Sequence, residues 1–237
     1  LKEIFCFNEK QLILNSQLIV SAKKINEVDK ILARRISGEP ISKIFGKRDF
    51  YKSSFLISKD VLDPRSETEL IIGIANNFIL DKGYKSFIDL GTGSGCIILS
   101  ILEDNKSLCA LGIDISYEAI NIAVKNCKNL NLEKKATFIV SNWLSPICGL
   151  YDLIISNPPY IPSKDIDTLS GSVKNYDPLV SLDGGEDGLK CYREIAEDIT
   201  RVISKNGRVI LEIGYNQADD VIKIFESKDF IFLDKYI

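Results

Sequence analysis

Asn157-Pro158-Pro159-Tyr160 closes the apolar run Asp152-Leu153-Ile154-Ile155-Ser156, and its residue types can do chemistry together. Two consecutive prolines fix φ and cannot donate to a sheet ladder, so the Pro158 carbonyl is expected to point out of the sheet rather than pair within it. With the Asn157 side-chain carbonyl it forms a rigid pair of acceptors. A planar amide or aromatic amine nitrogen is a poor nucleophile because its lone pair is delocalised. If each carbonyl accepts one N–H of such a group, electron density shifts onto the nitrogen and its lone pair is aimed outward. Positive charge gathering there would meet two oriented carbonyl dipoles, a preorganised arrangement that needs no base at the start. Tyr160 would cover a flat group by stacking. The plain alternative is a proline-rich turn after a strand.

Asp89-Leu90-Gly91-Thr92-Gly93-Ser94-Gly95 leaves an expected strand and opens an expected helix, the context of a nucleotide-type cofactor turn. Its glycines alternate and so depart from G-x-G-x-x-G, the spacing that seats a pyrophosphate, which disfavours a nicotinamide oxidoreductase. Alternation after an acidic residue resembles the turn of methyltransferases that use S-adenosyl-L-methionine. Asp89, Gly91, Thr92, Gly93, Ser94 and Gly95 are therefore the expected cofactor contacts; a purely structural glycine turn is the alternative. Asp114 ends the next expected strand and could accept both ribose hydroxyls of a nucleoside, or serve instead as the carboxylate ahead of a helix. Asn142 and Trp143 follow the third strand, where an adenine would lie, although the lone Trp could equally be a core residue.

The chain has no histidine, which excludes imidazole bases, catalytic triads built on them and zinc sites that need them. Six cysteines form no Cys-x-x-Cys pair and are expected to be reduced and mostly buried, and no metal is expected. A net charge of −3 argues against stable nucleic-acid binding. Eight basic residues between Lys30 and Lys59, against Glu39 and Asp49, form a local exception. They could face an acidic partner or be a solvated surface. No run approaches a membrane span and no signal peptide is evident, so a cytoplasmic location without membrane contact is expected. The absence of Met from the whole chain predicts that the natural polypeptide starts upstream.

The elements that must position these residues follow from periodicity. Ile25, Val28, Ile31, Leu32 and Ile36 predict a helix over 22–37, stopped by Gly38 and Pro40. Residues 49–62 read as two short strands. Beyond residue 67 helices are expected at 67–80, 95–103, 116–129, 188–203 and 216–227. Strands are expected at 86–90, 109–115, 136–140, 152–156, 208–213 and 230–234. That alternation is an α/β, doubly wound, mainly parallel sheet, in which ligands bind beyond the carboxyl ends of the strands. Three parts are expected: a helical N-terminal domain at 1–48, a hairpin linker at 49–66 and the cofactor domain at 67–237.

These motifs together resemble the HemK/PrmC family, the N5-glutamine methyltransferases of peptide chain release factors. The matching residues are Arg34-Arg35, Gly38 to Ile41, Phe45-Gly46-Lys47-Arg48-Asp49-Phe50, Pro64-Arg65, Glu67-Thr68-Glu69, Asp89 to Gly95, Asp114, Asn142-Trp143, Asn157 to Ile161, Leu211 to Gly214 and Gln217. The linker pair FGKRDF and PRSETE narrows the choice to this family, since Asn-Pro-Pro-Tyr also occurs in amino methyltransferases of DNA and RNA. Asp63-Pro64-Arg65-Ser66 stands where the family usually has Ile-Pro-Arg-Pro. Likewise Asn142 stands where it usually has Asp.

The resemblance implies a seven-stranded-type, class I, Rossmann-like methyltransferase sheet, whose last strand is absent from this chain. It also implies a monomer that methylates the glutamine amide in the Gly-Gly-Gln loop of a class 1 release factor. The N-terminal helices and hairpin would be the docking surface. Asn157 would contact both cofactor and glutamine, with Pro158, Pro159 and Tyr160 holding the latter. Rival readings are an amino methyltransferase acting on a nucleic-acid base, which would need a basic recognition domain, and a non-catalytic cofactor-binding protein.

Overall fold

The computed structural model describes residues 2–236. Helices α1 (Lys2–Phe5), α2 (Glu9–Leu14), α3 (Ala22–Ile36) and α4 (Ile41–Phe45) lead into a hairpin of β1 (Lys47–Phe50) and β2 (Ser53–Leu56). After it come α5 (Glu69–Lys82), β3 (Ser86–Leu90), α6 (Cys96–Asp104), β4 (Cys109–Asp114), α7 (Tyr117–Asn129), β5 (Ala136–Val140) and β6 (Tyr151–Ser156). A long connection carrying the short helix α8 (Gly171–Lys174) leads to α9 (Lys190–Val202), β7 (Ile203–Leu211) and α10 (Ala218–Glu226).

Five strands form one parallel sheet in the order β5-β4-β3-β6-β7. The chain runs outward from β3 through β4 to β5 and then returns to the other side of β3 with β6. The direction of winding therefore reverses beside β3, and the crevice for a ligand opens at the carboxyl ends of β3 and β6. Along β3 and β6 successive side chains enter opposite layers, as a strand's period of two requires. Phe87, Leu153 and Ile155 join the layer of α5 and α6, whereas Ile88, Leu90 and Ile154 join the layer of α9 and α10. Both faces of the central strands are thereby covered, which is why they read as continuous apolar runs.

The helix expected over 22–37 spans Ala22–Ile36, and Gly38 follows it with φ 96°. Strand β7 begins earlier than expected, at Ile203, with an irregular register between Tyr151 and Leu153 of β6. The strand expected at 230–234 does not form. Phe230 to Lys235 are without regular structure, and Ile231, Phe232 and Leu233 are exposed. Four consecutive apolar residues there have β propensity, but a strand exists only with a ladder partner, and none is supplied among the described residues.

The expectation of mostly buried cysteines also needs correction. Cys96, Cys127 and Cys191 are buried while Cys6, Cys109 and Cys148 are exposed, and all six are free.

The basic stretch is not one solvated face. The Lys43 ammonium turns inward and pairs with Asp177 at 2.9 Å, with 4% and 1% of the two side chains exposed. It also donates to the Ser58 carbonyl at 2.9 Å, so a buried ammonium has the partners its burial demands. Arg65 reaches the other oxygen of Asp177 at 2.7 Å. Asp63, the charge at a usually apolar family position, is buried and accepts from the Ser42 hydroxyl at 2.5 Å. Its other oxygen has no hydrogen-bond partner among the described residues and faces the Arg48 guanidinium at 3.7 Å, while the Asp63 N–H donates to Asp177 at 3.1 Å, so a polar cluster ties α4, the hairpin exit and the long connection together.

Candidate active site

The glycine turn leaves β3 with φ values of 68° at Gly91, 55° at Gly93 and 79° at Gly95, all in the region that costs an L side chain energy. At Gly95 a side chain would also meet Ala123 Cβ and Leu99 Cδ1, each 3.2 Å from an added Cβ. Close packing of α6 on α7 therefore adds crowding to the cost of the positive φ. Within the turn, the Thr92 hydroxyl donates to Asp89 at 2.6 Å. The other Asp89 oxygen has no hydrogen-bond partner among the described residues although the residue is fully buried. Burial accordingly pushes its carboxyl up to about 7. Ser94, within the turn, is itself buried.

Asp114, at the end of β4, accepts from the Gly93 N–H at 2.8 Å and from the Ser116 N–H at 2.9 Å. The reading of Asp114 as the carboxylate ahead of a helix is the one these bonds bear on: one oxygen steadies the glycine turn and the other the start of α7. A carboxylate has about four lone-pair sites, so roughly two remain for ligand hydroxyls. Burial raises its carboxyl above the ordinary range.

Trp143 is half-buried and adopts a φ of 48°, uncommon for a bulky residue and of the kind that collects at binding sites. Its indole N–H donates to Glu194 at 2.8 Å. The ring is therefore a fixed wall rather than a polar handle; its Cζ3 lies 3.8 Å from where a Cβ on Gly91 would stand. Asn142 is exposed and makes no side-chain hydrogen bond among the described residues.

The Asn157 backbone carbonyl lies 4.0 Å from that same point above Gly91. Bend and glycine turn are thus neighbours, as the parallel pairing of Leu90 with Ser156 dictates. The Pro158 carbonyl and the Asn157 side-chain oxygen accept no hydrogen bond among the described residues, whereas the Asn157 amide N–H donates to the Thr68 hydroxyl at 3.3 Å. Tyr160 is half-buried and packs on the layer of α9 and α10, and burial raises its phenol. Its carbonyl accepts from the Gln217 amide at 2.9 Å. Gly184 and Gly188 press against it from behind: a Cβ on Gly184 would come within 2.8 Å of Tyr160 Cα, and one on Gly188 would strike the Tyr160 carbonyl. The bend is thereby clamped by a loop that follows it in sequence.

The sequence motifs assign no part to Thr68, Glu212, Asp177, Gly184 or Gly188. Thr68 and Glu212 stand among the family-matching residues, but nothing in their spacing announces that they meet. The Thr68 hydroxyl donates to Glu212 at 2.7 Å across 144 residues of chain.

Residues 49–171, just over half of the chain, match the methyltransferase small domain family. The chain is 39% identical over 216 residues to the release factor glutamine methyltransferase of Rhodospirillum rubrum, covering 90% of this chain and 66% of that protein. It is 38% identical over 232 residues to the protein of the same name from Agrobacterium fabrum, covering 96% and 80%. The chain belongs to the release factor glutamine methyltransferase family.

Among solved structures it resembles the catalytic domain of hMettl16, with a TM-score of 0.55 at 19% identity, covering 81% of this chain and 69% of that one. At that identity the likeness shows a shared fold. As a family member the chain is an S-adenosylmethionine-dependent methyltransferase. The site suits that cofactor: three glycines that leave the turn's backbone open to a ligand, an aromatic wall at Trp143, acceptor capacity at Asp114 and a buried Asp89 oxygen without a partner among the described residues.

Proposed function

We propose that this enzyme methylates the side-chain amide nitrogen of the glutamine in the Gly-Gly-Gln loop of a class 1 peptide chain release factor, with Asn157 to Tyr160 as the glutamine clamp. The observation that carries the reading is a pair of acceptors, Asn157 Oδ1 and the Pro158 carbonyl, that have no donor among the described residues, on a bend whose Asn157 backbone lies beside Gly91. Buried or half-buried acceptors normally find partners; the two N–H groups of a glutamine amide would satisfy this pair. Bound S-adenosylmethionine supplies an electrophilic methyl group on a sulfonium.

Asp89, Gly91 to Gly95, Asp114 and Trp143 hold and orient the cofactor, with Asn142 at the rim and the Asn157 backbone between the two ligands. Asn157 and Pro158 hold the nitrogen in line and stabilise the positive charge that develops on it. Pro159 keeps the bend rigid, and Tyr160 covers the flat glutamine amide by stacking.

The test is incubation of the full chain with labelled cofactor and a purified release factor, its Gln→Ala variant, or bulk tRNA or DNA. Label is expected in the unaltered factor alone; label in nucleic acid instead would overturn the assignment. Asn157→Ala is expected to reduce turnover by roughly 10²–10³-fold, the cost of losing one preorganised polar contact to developing charge. Cofactor affinity measured by calorimetry should stay within about twofold.

A further inference from the structure

Thr68 sits at the N-cap of α5, where a threonine hydroxyl usually accepts from a backbone N–H of the first turn, yet here it makes no capping bond. The residue is 3% exposed. Its one hydroxyl proton is directed to the Glu212 carboxylate at 2.7 Å, so its lone pairs are what face the Asn157 amide 3.3 Å away. A helix cap has been given up for a contact beside the site.

A primary amide is donor on one branch and acceptor on the other, and the two branches are nearly the same size, so sterics alone would not orient Asn157. Hydrogen bonding does. With the Thr68 proton committed to Glu212, the branch nearest Thr68 must be the NH2. The reversed amide would set Oδ1 against an oxygen with no proton to give and near a carboxylate, and would turn an N–H toward the N–H groups of an incoming substrate.

We infer that Thr68 and Glu212 form a positioning relay that locks the Asn157 amide with its oxygen toward the substrate. The relay rests on the clamp reading above and names the residues that make Asn157 an acceptor. Glu212 is held in turn by the strand register, since its N–H donates to the Ser156 carbonyl at 2.9 Å and its carbonyl accepts from the Tyr192 hydroxyl at 2.9 Å. Carboxylate, hydroxyl and amide therefore come from three segments separated in sequence and fixed by the sheet.

The test uses Thr68→Val, Thr68→Ser, Glu212→Gln and Asn157→Ala in the full chain, with saturating cofactor and a purified class 1 release factor. Thr68→Val keeps the shape and removes the hydroxyl. It is expected to lower kcat about tenfold, the scale of one lost hydrogen bond, with the KM for cofactor within about twofold. Thr68→Ser is expected to restore most of that loss, because only the hydroxyl matters to the relay. Glu212→Gln, which can donate as well as accept and so no longer fixes the Thr68 proton, is expected to cost about threefold in kcat. Should Thr68→Val fail to fold, the same kcat against KM split on Glu212→Gln and Thr68→Ser decides.

If Asn157→Ala loses turnover while Thr68→Val or Glu212→Gln keeps the parent kcat, the relay is wrong and the clamp stands. Full turnover by Asn157→Ala would overturn both.

Discussion

Helices α3 and α9 are alike on paper and opposite in the molecule. Each is a single amphipathic helix of similar length, 15 and 13 residues. In α9, Cys191, Tyr192, Ile195, Ala196, Ile199 and Val202 are all buried, the last five completely. In α3 no residue is buried, and Ile25, Leu32 and Ile36 are 48%, 50% and 85% exposed. Periodicity makes a helix in both cases. What differs is the surface available opposite the apolar stripe: α9 lies on the central sheet strands, whereas α3 has the short helices α1 and α4 beside it. An apolar stripe is thus a statement about helix formation; burial depends on what the rest of the chain brings to it.

The sharpest way to break the comparison is to remove packing from α9. Ile195→Ala is expected to destabilise the protein by roughly 2–5 kcal/mol, the range for deleting a fully buried branched side chain into a partly relaxed cavity, as read by urea unfolding.

A smaller effect concerns Asp89, the carboxylate that the same core leaves without a full complement of partners. Its folded carboxyl is raised, chiefly by burial, from 3.8 to about 7. A group raised on folding favours the folded state below its unfolded value, and that contribution is lost as pH rises through the folded one. Asp89→Asn keeps an acceptor for Thr92 and cannot ionise. The cofactor-free variant should therefore gain stability relative to the parent between about pH 4 and about pH 8, by up to about 4 kcal/mol, seen as a Tm difference that grows with pH. A gap that narrows with rising pH would contradict this account.

The smallest stability effect is expected on α3. Leu32→Ser should change unfolding free energy by less than about 0.5 kcal/mol, as surface substitutions do. If the N-terminal helices are the docking surface, the same variant should raise the KM for release factor severalfold while leaving the KM for cofactor unchanged. A large loss of stability would instead mean that the stripe is covered by this chain itself.

The candidate site is partly legible in the sequence. The bend at Asn157 to Tyr160 and the turn from Asp89 to Gly95 announce themselves because their residues are contiguous and their conformational demands are local: proline removes donors, and glycine admits positive φ. Asp114 and Trp143 are placed by strand order, although the partner of the Trp143 indole, Glu194, lies 51 residues away and carries no sequence signal. The strand expected at 230–234 fails for the converse reason, since its residues suit a strand but pairing is not a property of the segment.

From residue order alone come the proline bend and the glycine turn, the alternation that dictates a parallel sheet, and the absence of any imidazole, because each is read from residue types and their order along the chain. The tertiary structure alone decides which way the Asn157 amide faces, where the Lys43 charge is neutralised, and which amphipathic stripe is covered. Those outcomes depend on contacts across long stretches of chain, 112 residues from Arg65 to Asp177 and 144 from Thr68 to Glu212, which only the packing of the sheet and its connections brings within hydrogen-bonding reach.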